Sequence, residues 1–191
     1  MLDALSLAPL VSSFLLIFAA EFGDKSQLVC MLLATRHRPW PVLLGAIVAF
    51  AVLNGLAVAF GSAIRLALPD QYLNWIVAAL FAFFGIRALL APEDEDEAIT
   101  EQPGHGIFAT AFLMIFFAEF GDKTQLSVAA LGTTQPAIAI YVGSTLALVL
   151  TSALGVFGGR WLLQHISAQT LHRISGVLFL LFAGLSLWGA L

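Results

Sequence analysis

Apolar residues dominate six long stretches of the chain, and polar residues are concentrated between them. The stretches cover residues 7–34, 41–67, 72–91, 107–131, 136–160 and 171–191. An apolar run of about 18 or more residues is long enough to cross a bilayer as a helix. The pattern therefore predicts an all-α membrane protein with six transmembrane helices, and it leaves no segment the size of a soluble domain.

The two halves of the chain resemble each other closely. Segments 14–33 (FLLIFAAEFGDKSQLVCMLL) and 112–131 (FLMIFFAEFGDKTQLSVAAL) are identical at 13 of 20 positions, with an offset of 98 residues. The same offset continues without a gap through the rest of each half. Because each copy holds three spans, an odd number, the second copy must enter the membrane from the opposite side. We therefore expect two inverted three-helix repeats, residues 1–91 and 107–191.

An acidic segment, residues 92–106, joins the two copies. It holds six of the twelve acidic residues, so the net charge of −4 becomes +2 for the rest of the chain. A run of like charge with proline and glycine predicts a solvated linker, although it could also gather or sense cations beside a pore. The chain as a whole is 60% hydrophobic and 10% charged. Soluble domains are roughly 45–50% apolar and about 25% charged, so this class is excluded.

The arginines indicate how the chain is oriented. Five fall on one predicted side of the membrane, and only Arg65 falls on the other; the five are Arg36, Arg38, Arg87, Arg160 and Arg173. Cytoplasmic loops carry an excess of basic residues, which predicts a cytoplasmic linker and both termini outside. Residues 1–10 contain Asp3 and no basic residue. They lack the positive region of a cleavable signal, so we expect the first span to be retained.

Six charged side chains lie in the middle of the first and fourth spans. They are Glu21, Asp24 and Lys25 in the first copy and Glu119, Asp122 and Lys123 in the second. Each charge at a helix centre costs about 2.5–3.5 kcal/mol on insertion scales, so these groups must face a protein interior or a wet cavity. A functional site is the default interpretation of charges placed there.

The spacing brings ligand groups together. Glu21 and Asp24 are three residues apart, so on a helix their carboxylates share one face. The glycine between the acids, Gly23 or Gly121, permits close backbone approach or a break in the helix that exposes carbonyl oxygens. Further oxygens come from the neighbouring hydroxyl and amide side chains, Ser26, Gln27, Thr124 and Gln125.

This ligand set predicts the chemistry of the cargo. Four carboxylates with neutral oxygens, and neither imidazole nor thiolate, suit hard divalent ions such as Ca²⁺, Mn²⁺ or Mg²⁺. The four histidines map to loops or span ends, and Cys30 is expected to be a small core residue. Four acids and two lysines sum to −2, which one divalent cation neutralises. When it leaves, buried and crowded carboxylates should take up protons, which suggests exchange of a divalent cation for protons.

Other interpretations of the same residues remain open. Each lysine could pair with its neighbouring acid or with a carboxylate of the other repeat simply to make insertion tolerable, or could take part in proton coupling. All six charges could form a structural cluster without transport, and a small-solute or amino-acid exporter is a further alternative. An intramembrane aspartyl protease is another interpretation, because the Phe-Gly-Asp segments resemble part of the G-x-G-D motif of those enzymes. In this chain the first glycine of that motif is replaced by Glu21 or Glu119.

The segments Glu21–Ser26 and Glu119–Thr124 both match the signature E-x-G-D-[KR]-[ST]. The chain therefore resembles the GDT family (uncharacterised protein family 0016), which contains Golgi manganese/calcium transporters and bacterial manganese exporters. The resemblance implies cation/proton antiport, with Mn²⁺ first and Ca²⁺ second as cargo. It also implies that the signature acids bind the metal, with weaker support for roles of the adjacent side chains. The acids are Glu21, Asp24, Glu119 and Asp122; the supporting residues are Lys25, Ser26, Gln27, Lys123, Thr124 and Gln125.

The short chain is similar to the bacterial members, whose usual role is to export excess manganese. The resemblance thus predicts a multi-pass protein of the bacterial inner membrane, with divalent cations, protons and lipid as its partners. Neither a catalytic residue, a resident cofactor nor a nucleic acid is expected, and a homo-oligomer is left open.

Overall fold

The computed structural model describes residues 7–90, 106–165 and 168–188. Across these residues the chain forms eight helices and no strand, which confirms the predicted all-α class. The helices of the first half are α1 (Leu7–Glu21), α2 (Lys25–Arg36), α3 (Pro39–Ala67) and α4 (Asp70–Leu90). Those of the second half are α5 (Ile107–Glu119), α6 (Lys123–Thr134), α7 (Ala137–His165) and α8 (Ala168–Trp188). The acidic linker lies almost wholly outside the described residues.

The first and fourth predicted spans are each divided into two helices. Each break falls at the Phe-Gly-Asp segment of the repeated motif, between α1 and α2 and again between α5 and α6. The axes of Leu7–Glu21 and Ser26–Arg36 are bent by 67° relative to each other. The sequence left open whether the glycines bring backbones together or break the helix, and the structure shows a break.

Three helical segments of the described chain are long and apolar enough to cross a membrane, namely Pro39–Ala67, Tyr72–Leu90 and Ala137–Gly158. The bent pair α1–α2 would form a fourth span. Helix α5 has 13 residues, about 20 Å at the usual rise, which is shorter than the roughly 30 Å hydrocarbon core. The structure thus supports a membrane protein, while the full set of six spans remains a prediction.

The packing of the two halves is reciprocal. In the first half α1 contacts α7, and correspondingly α5 contacts α3; likewise α2 contacts α7 and α6 contacts α3. Helices α4 and α8 pack against each other. Each broken segment therefore lies against the long helix of the other half. This exchange is what a two-fold arrangement of repeats would produce, and the opposed orientation in the membrane remains a prediction.

Glycines allow the helices to cross closely at equivalent places. A Cβ on Gly45 of α3 would lie 2.5 Å from the backbone oxygen of Phe108 on α5. A Cβ on Gly143 of α7 would likewise lie too close to the backbone oxygen of Leu10 on α1. Gly143 corresponds to Gly45, and Leu10 to Phe108, by the repeat offset of 98 residues. A side chain at either glycine would force the helices apart, so the small residues fix the distance between the halves.

The outer surface of the bundle is apolar. Large hydrophobic side chains on the long helices are exposed, among them Phe60 and Phe83 in the first half and Leu146 and Phe157 in the second. Buried between the halves, the rings of Phe81 and Phe179 lie 5.9 Å apart. An exposed belt of this kind would be a liability in water and is expected where lipid surrounds a protein.

Candidate cation site

The backbone at both helix breaks has a conformation that favours glycine. Gly23 has a φ of 85° and Gly121 a φ of 80°, both in the left-handed region. A side chain there costs roughly 1–2 kcal/mol, so glycine is the residue that turns the chain at the lowest cost. The turn is closed by backbone hydrogen bonds from Asp24 N–H to the Glu21 oxygen (3.1 Å) and from Asp122 N–H to the Glu119 oxygen (3.2 Å).

A glutamine in each copy holds the break in place. The amide oxygen of Gln27 accepts a hydrogen bond from Gly23 N–H at 2.7 Å, and its Nε2 donates to the backbone oxygen of Thr151 on α7 at 3.3 Å. Gln125 accepts from the Gly121 N–H at 2.5 Å. The amide oxygen of each glutamine thus accepts a hydrogen bond within the turn, and its proposed role as a metal ligand remains a prediction.

The second copy repeats the attachment to the opposite half. Gln125 Nε2 donates to the backbone oxygen of Leu53 on α3 at 3.5 Å. Leu53 and Thr151 are themselves separated by the repeat offset. The two breaks are therefore tied to the long helices by equivalent contacts, which sequence reasoning missed because a backbone acceptor leaves no signal in residue identity.

Three of the four predicted acids come together. Carboxylate oxygens of Glu21, Asp24 and Asp122 all lie within 4.8 Å of one another. Glu21 is fully buried, whereas the two aspartates are partly exposed. Like charges at this distance repel in a site of low polarity, so an arrangement of this kind needs cations or protons nearby.

Glu21 is the most enclosed member of the three-acid group. Ser26 donates a hydrogen bond to its Oε2 at 3.2 Å, and Thr124 donates to its Oε1. One hydroxyl belongs to each copy of the motif, so both copies orient the same carboxylate. The positive ends of α2 and α6, which begin at Lys25 and Lys123, add further stabilisation of negative charge.

The two aspartates precede these helix ends. Asp122 occupies the N-cap position of α6, yet its side chain makes no capping hydrogen bond. Asp24 accepts a hydrogen bond and an ion pair from the ammonium group of Lys123. The pair joins the two halves, as one of the sequence alternatives for the lysines anticipated. The side chain of Lys25 lies outside the part of the chain that the structure describes.

The fourth acid, Glu119, is buried with an exposed fraction of 3%. It does not belong to the group of three. The structure therefore brings three of the four acids together, and the assignment of all four as metal ligands remains a prediction. The group contains neither histidine nor cysteine, and Cys30 is buried in the hydrophobic core, as predicted.

Comparison with known proteins gives the family. The sequence profile described as "Divalent cation/proton antiporter GDT1" matches residues 9–96 and 107–191. The chain belongs to the GDT1 family. A GDT1-like protein of Synechocystis sp. is 33% identical over 95% of this chain and 98% of its own length. GDT1-like protein 3 of Arabidopsis thaliana is 30% identical, covering 91% and 68%.

A more distant relative is the chloroplastic PAM71-homolog of Arabidopsis thaliana, which is 27% identical over 98% of this chain and 61% of its own length. No solved structure matches the chain. Membership of the GDT1 family confirms the resemblance stated from the motif, and it makes the protein a membrane cation transporter from a family of antiporters rather than of enzymes. The protease interpretation is thereby set aside.

Proposed function

We propose that this GDT1-family protein exports excess Mn²⁺ from the cytoplasm in exchange for protons, with Ca²⁺ as a second cargo. The observation that carries the proposal is the convergence of Glu21, Asp24 and Asp122 at the two helix breaks, with oxygens from all three within 4.8 Å. This group draws on both copies of the motif. Its oxygen-only chemistry suits hard divalent ions, whereas Zn²⁺ and Cu⁺ favour nitrogen and sulfur ligands.

The charges support a divalent cargo. Three carboxylates and the Lys123 ammonium sum to −2 when all are ionised, which one divalent cation neutralises. Glu21 is fully buried. Its negative charge would therefore be unfavourable in a non-polar interior once the compensating cation leaves. Uptake of protons by the vacated acids is the proposed source of cation/proton exchange.

Glu119 is proposed to serve the same cycle from the second copy. It occupies the position equivalent to Glu21, displaced by 98 residues, and it is buried within the same bundle. In transporters with inverted repeats, the two halves rock alternately around a shared site. We propose that Glu119 joins the metal ligands as the halves rock, with Ser26, Thr124, Gln27 and Gln125 holding the ligands in position.

The proposed orientation places both termini outside and the acidic linker in the cytoplasm of a bacterium. Cys30 is buried, so added cysteines can be labelled over a low background. We expect Thr100→Cys in the linker to react with a membrane-impermeant maleimide only after cells are permeabilised. Leu68→Cys, in the exposed connection between α3 and α4, should react in intact cells. The reverse pattern would contradict this topology.

Transport into proteoliposomes tests the function. We expect accumulation of Mn²⁺, and more weakly of Ca²⁺, when an outward-directed proton gradient is imposed. Reversing the gradient should reverse the net flux, and Mg²⁺ should be a poor cargo because it sheds its hydration shell reluctantly. Cation uptake that ignores the gradient would remove proton coupling from the proposal. Absence of uptake for all three ions would favour the small-solute exporter instead.

A further inference from the structure

Lys123 lies at a place where a metal ion would be expected to bind. It is the first residue of α6, and its ammonium group pairs with Asp24 across the boundary between the two halves. Asp24 is one of the three acids that converge. The ammonium group of a lysine therefore already pairs with one of the proposed metal ligands.

We infer that Lys123 is a tethered competitor of the transported cation, which holds Asp24 while the site is empty and releases it when a divalent ion binds. The inference rests on the proposed function, since it assigns a competing cation to that same site. By the same charge, Lys123 sets the net charge of the group at −2 and so favours divalent over trivalent ions.

The exposure of the pair makes release feasible. The side chains of Lys123 and Asp24 are 29% and 20% exposed. Charged groups within a membrane avoid lipid, so their exposed parts are expected to face a water-filled cavity. An ion pair that is partly hydrated is weak, while a divalent ion at the same carboxylate exerts twice the attraction of an ammonium group. The lysine stem is flexible and its charge is compact, so the ammonium group can withdraw without moving α6.

Glu21 is bound differently from Asp24. Its carboxylate is fully buried and accepts hydrogen bonds from two hydroxyl groups, those of Ser26 and Thr124. Hydroxyl groups carry no net charge and can keep their hydrogen bonds beside a metal ion. The ammonium group contacts Asp24 directly, so the competition between ammonium and metal is expected mainly at that carboxylate.

A purely structural ion pair makes the opposite prediction. If Lys123 served only to neutralise Asp24 for insertion, removing it would loosen the site and weaken metal binding. If it competes with the metal, removing it strengthens binding. The sign of the change in dissociation constant thus separates the two roles, independently of any loss of transport.

The experiment measures binding of Mn²⁺, Ca²⁺ and La³⁺ to the purified full-length protein in detergent by isothermal titration calorimetry. For Lys123→Gln, we expect the Mn²⁺ dissociation constant to fall on the order of tenfold, because one competing unit charge is removed. The preference for La³⁺ over Ca²⁺, which are ions of similar size, should rise. Lys123→Arg keeps the charge and can hold Asp24 through two hydrogen bonds, so it should bind Mn²⁺ no more tightly than wild type. The matched charge removal Arg87→Gln, at an exposed position of α4, should remain near wild type.

A second measurement on the wild-type protein covers the case in which Lys123→Gln does not fold. Amine labelling of Lys123, followed by mass spectrometry, should increase several-fold when Ca²⁺ is added, because the ammonium group is released from Asp24. Unchanged or weaker binding by Lys123→Gln, or labelling that Ca²⁺ does not increase, overturns the inference while leaving the proposed function standing. Failure of the wild-type protein to bind any of these ions overturns both.

Discussion

Glu21→Gln should lower proton-driven Mn²⁺ uptake by at least about 100-fold, because loss of even an outer-shell partner of a metal ligand costs about 10–100-fold in affinity. The substitution preserves the size of the side chain and leaves an oxygen that Thr124 or Ser26 can contact. It removes the negative charge and the proton acceptor at the most enclosed carboxylate of the group. Uptake into proteoliposomes and Mn²⁺ binding in detergent are the two measurements.

Ser26→Ala provides a graded control for this prediction. It keeps the Glu21 charge and removes one hydrogen bond, the 3.2 Å contact to Oε2. A hydrogen bond to a charged group contributes about 1.5–3 kcal/mol. We therefore expect Mn²⁺ uptake to fall roughly tenfold to 100-fold, which is a smaller decrease than for Glu21→Gln. If both variants behaved alike, the charge of Glu21 would not be what binds the metal.

Glu119→Gln gives a comparison that the sequence alone does not suggest. The two glutamates occupy equivalent positions in nearly identical motifs, so the sequence predicts equal effects. Only Glu21 belongs to the group of three. We expect Glu119→Gln to retain more Mn²⁺ binding than Glu21→Gln in detergent, even where both reduce transport. A folded Glu21→Gln protein that binds Mn²⁺ within about threefold of wild type would contradict the assignment of this acid as a ligand.

The repeat explains why so much of the fold could be predicted from the sequence. An offset of 98 residues relates the bounds of α2 to those of α6, of α3 to α7 and of α4 to α8. The apolar runs located the helical regions, the alignment indicated that the two copies share them, and the charges marked the polar region of the first and fourth spans. The motif glycines indicated where a break was permitted, because a left-handed backbone conformation strongly favours that residue.

The tertiary pairings could not be predicted in the same way. The sequence left open whether Lys123 pairs with the neighbouring acid or with one of the other copy, and in the structure its ammonium group pairs with Asp24. Sequence spacing also treats Ser26 and Thr124 as equivalent members of separate motifs, whereas both donate to Glu21. Such choices depend on how closely the two halves approach, and that distance is set by contacts far from the motif.

Gly61 is one of the contacts that set this distance. It lies on α3 where that helix crosses α6, and a Cβ added there would lie 3.0 Å from the backbone carbonyl carbon of Ala129, and closer still to its oxygen. Backbone atoms cannot move aside as the end of a side chain can. Gly61→Leu should therefore destabilise the protein by about 3 kcal/mol or more, through overpacking at a helix crossing.

Thermal unfolding in detergent measures this loss, and Gly158→Leu is the matched control. A Cβ on Gly158 of α7 has no neighbour within 4 Å, so the same added volume should be tolerated there. Because α6 carries Lys123 and Thr124 to Asp24 and Glu21, a displaced α6 should also weaken Mn²⁺ binding in any Gly61→Leu protein that remains folded. Equal melting temperatures for the two variants would show that the α3–α6 crossing can widen at little cost, and the position of Lys123 would then have to be fixed by its ion pair with Asp24.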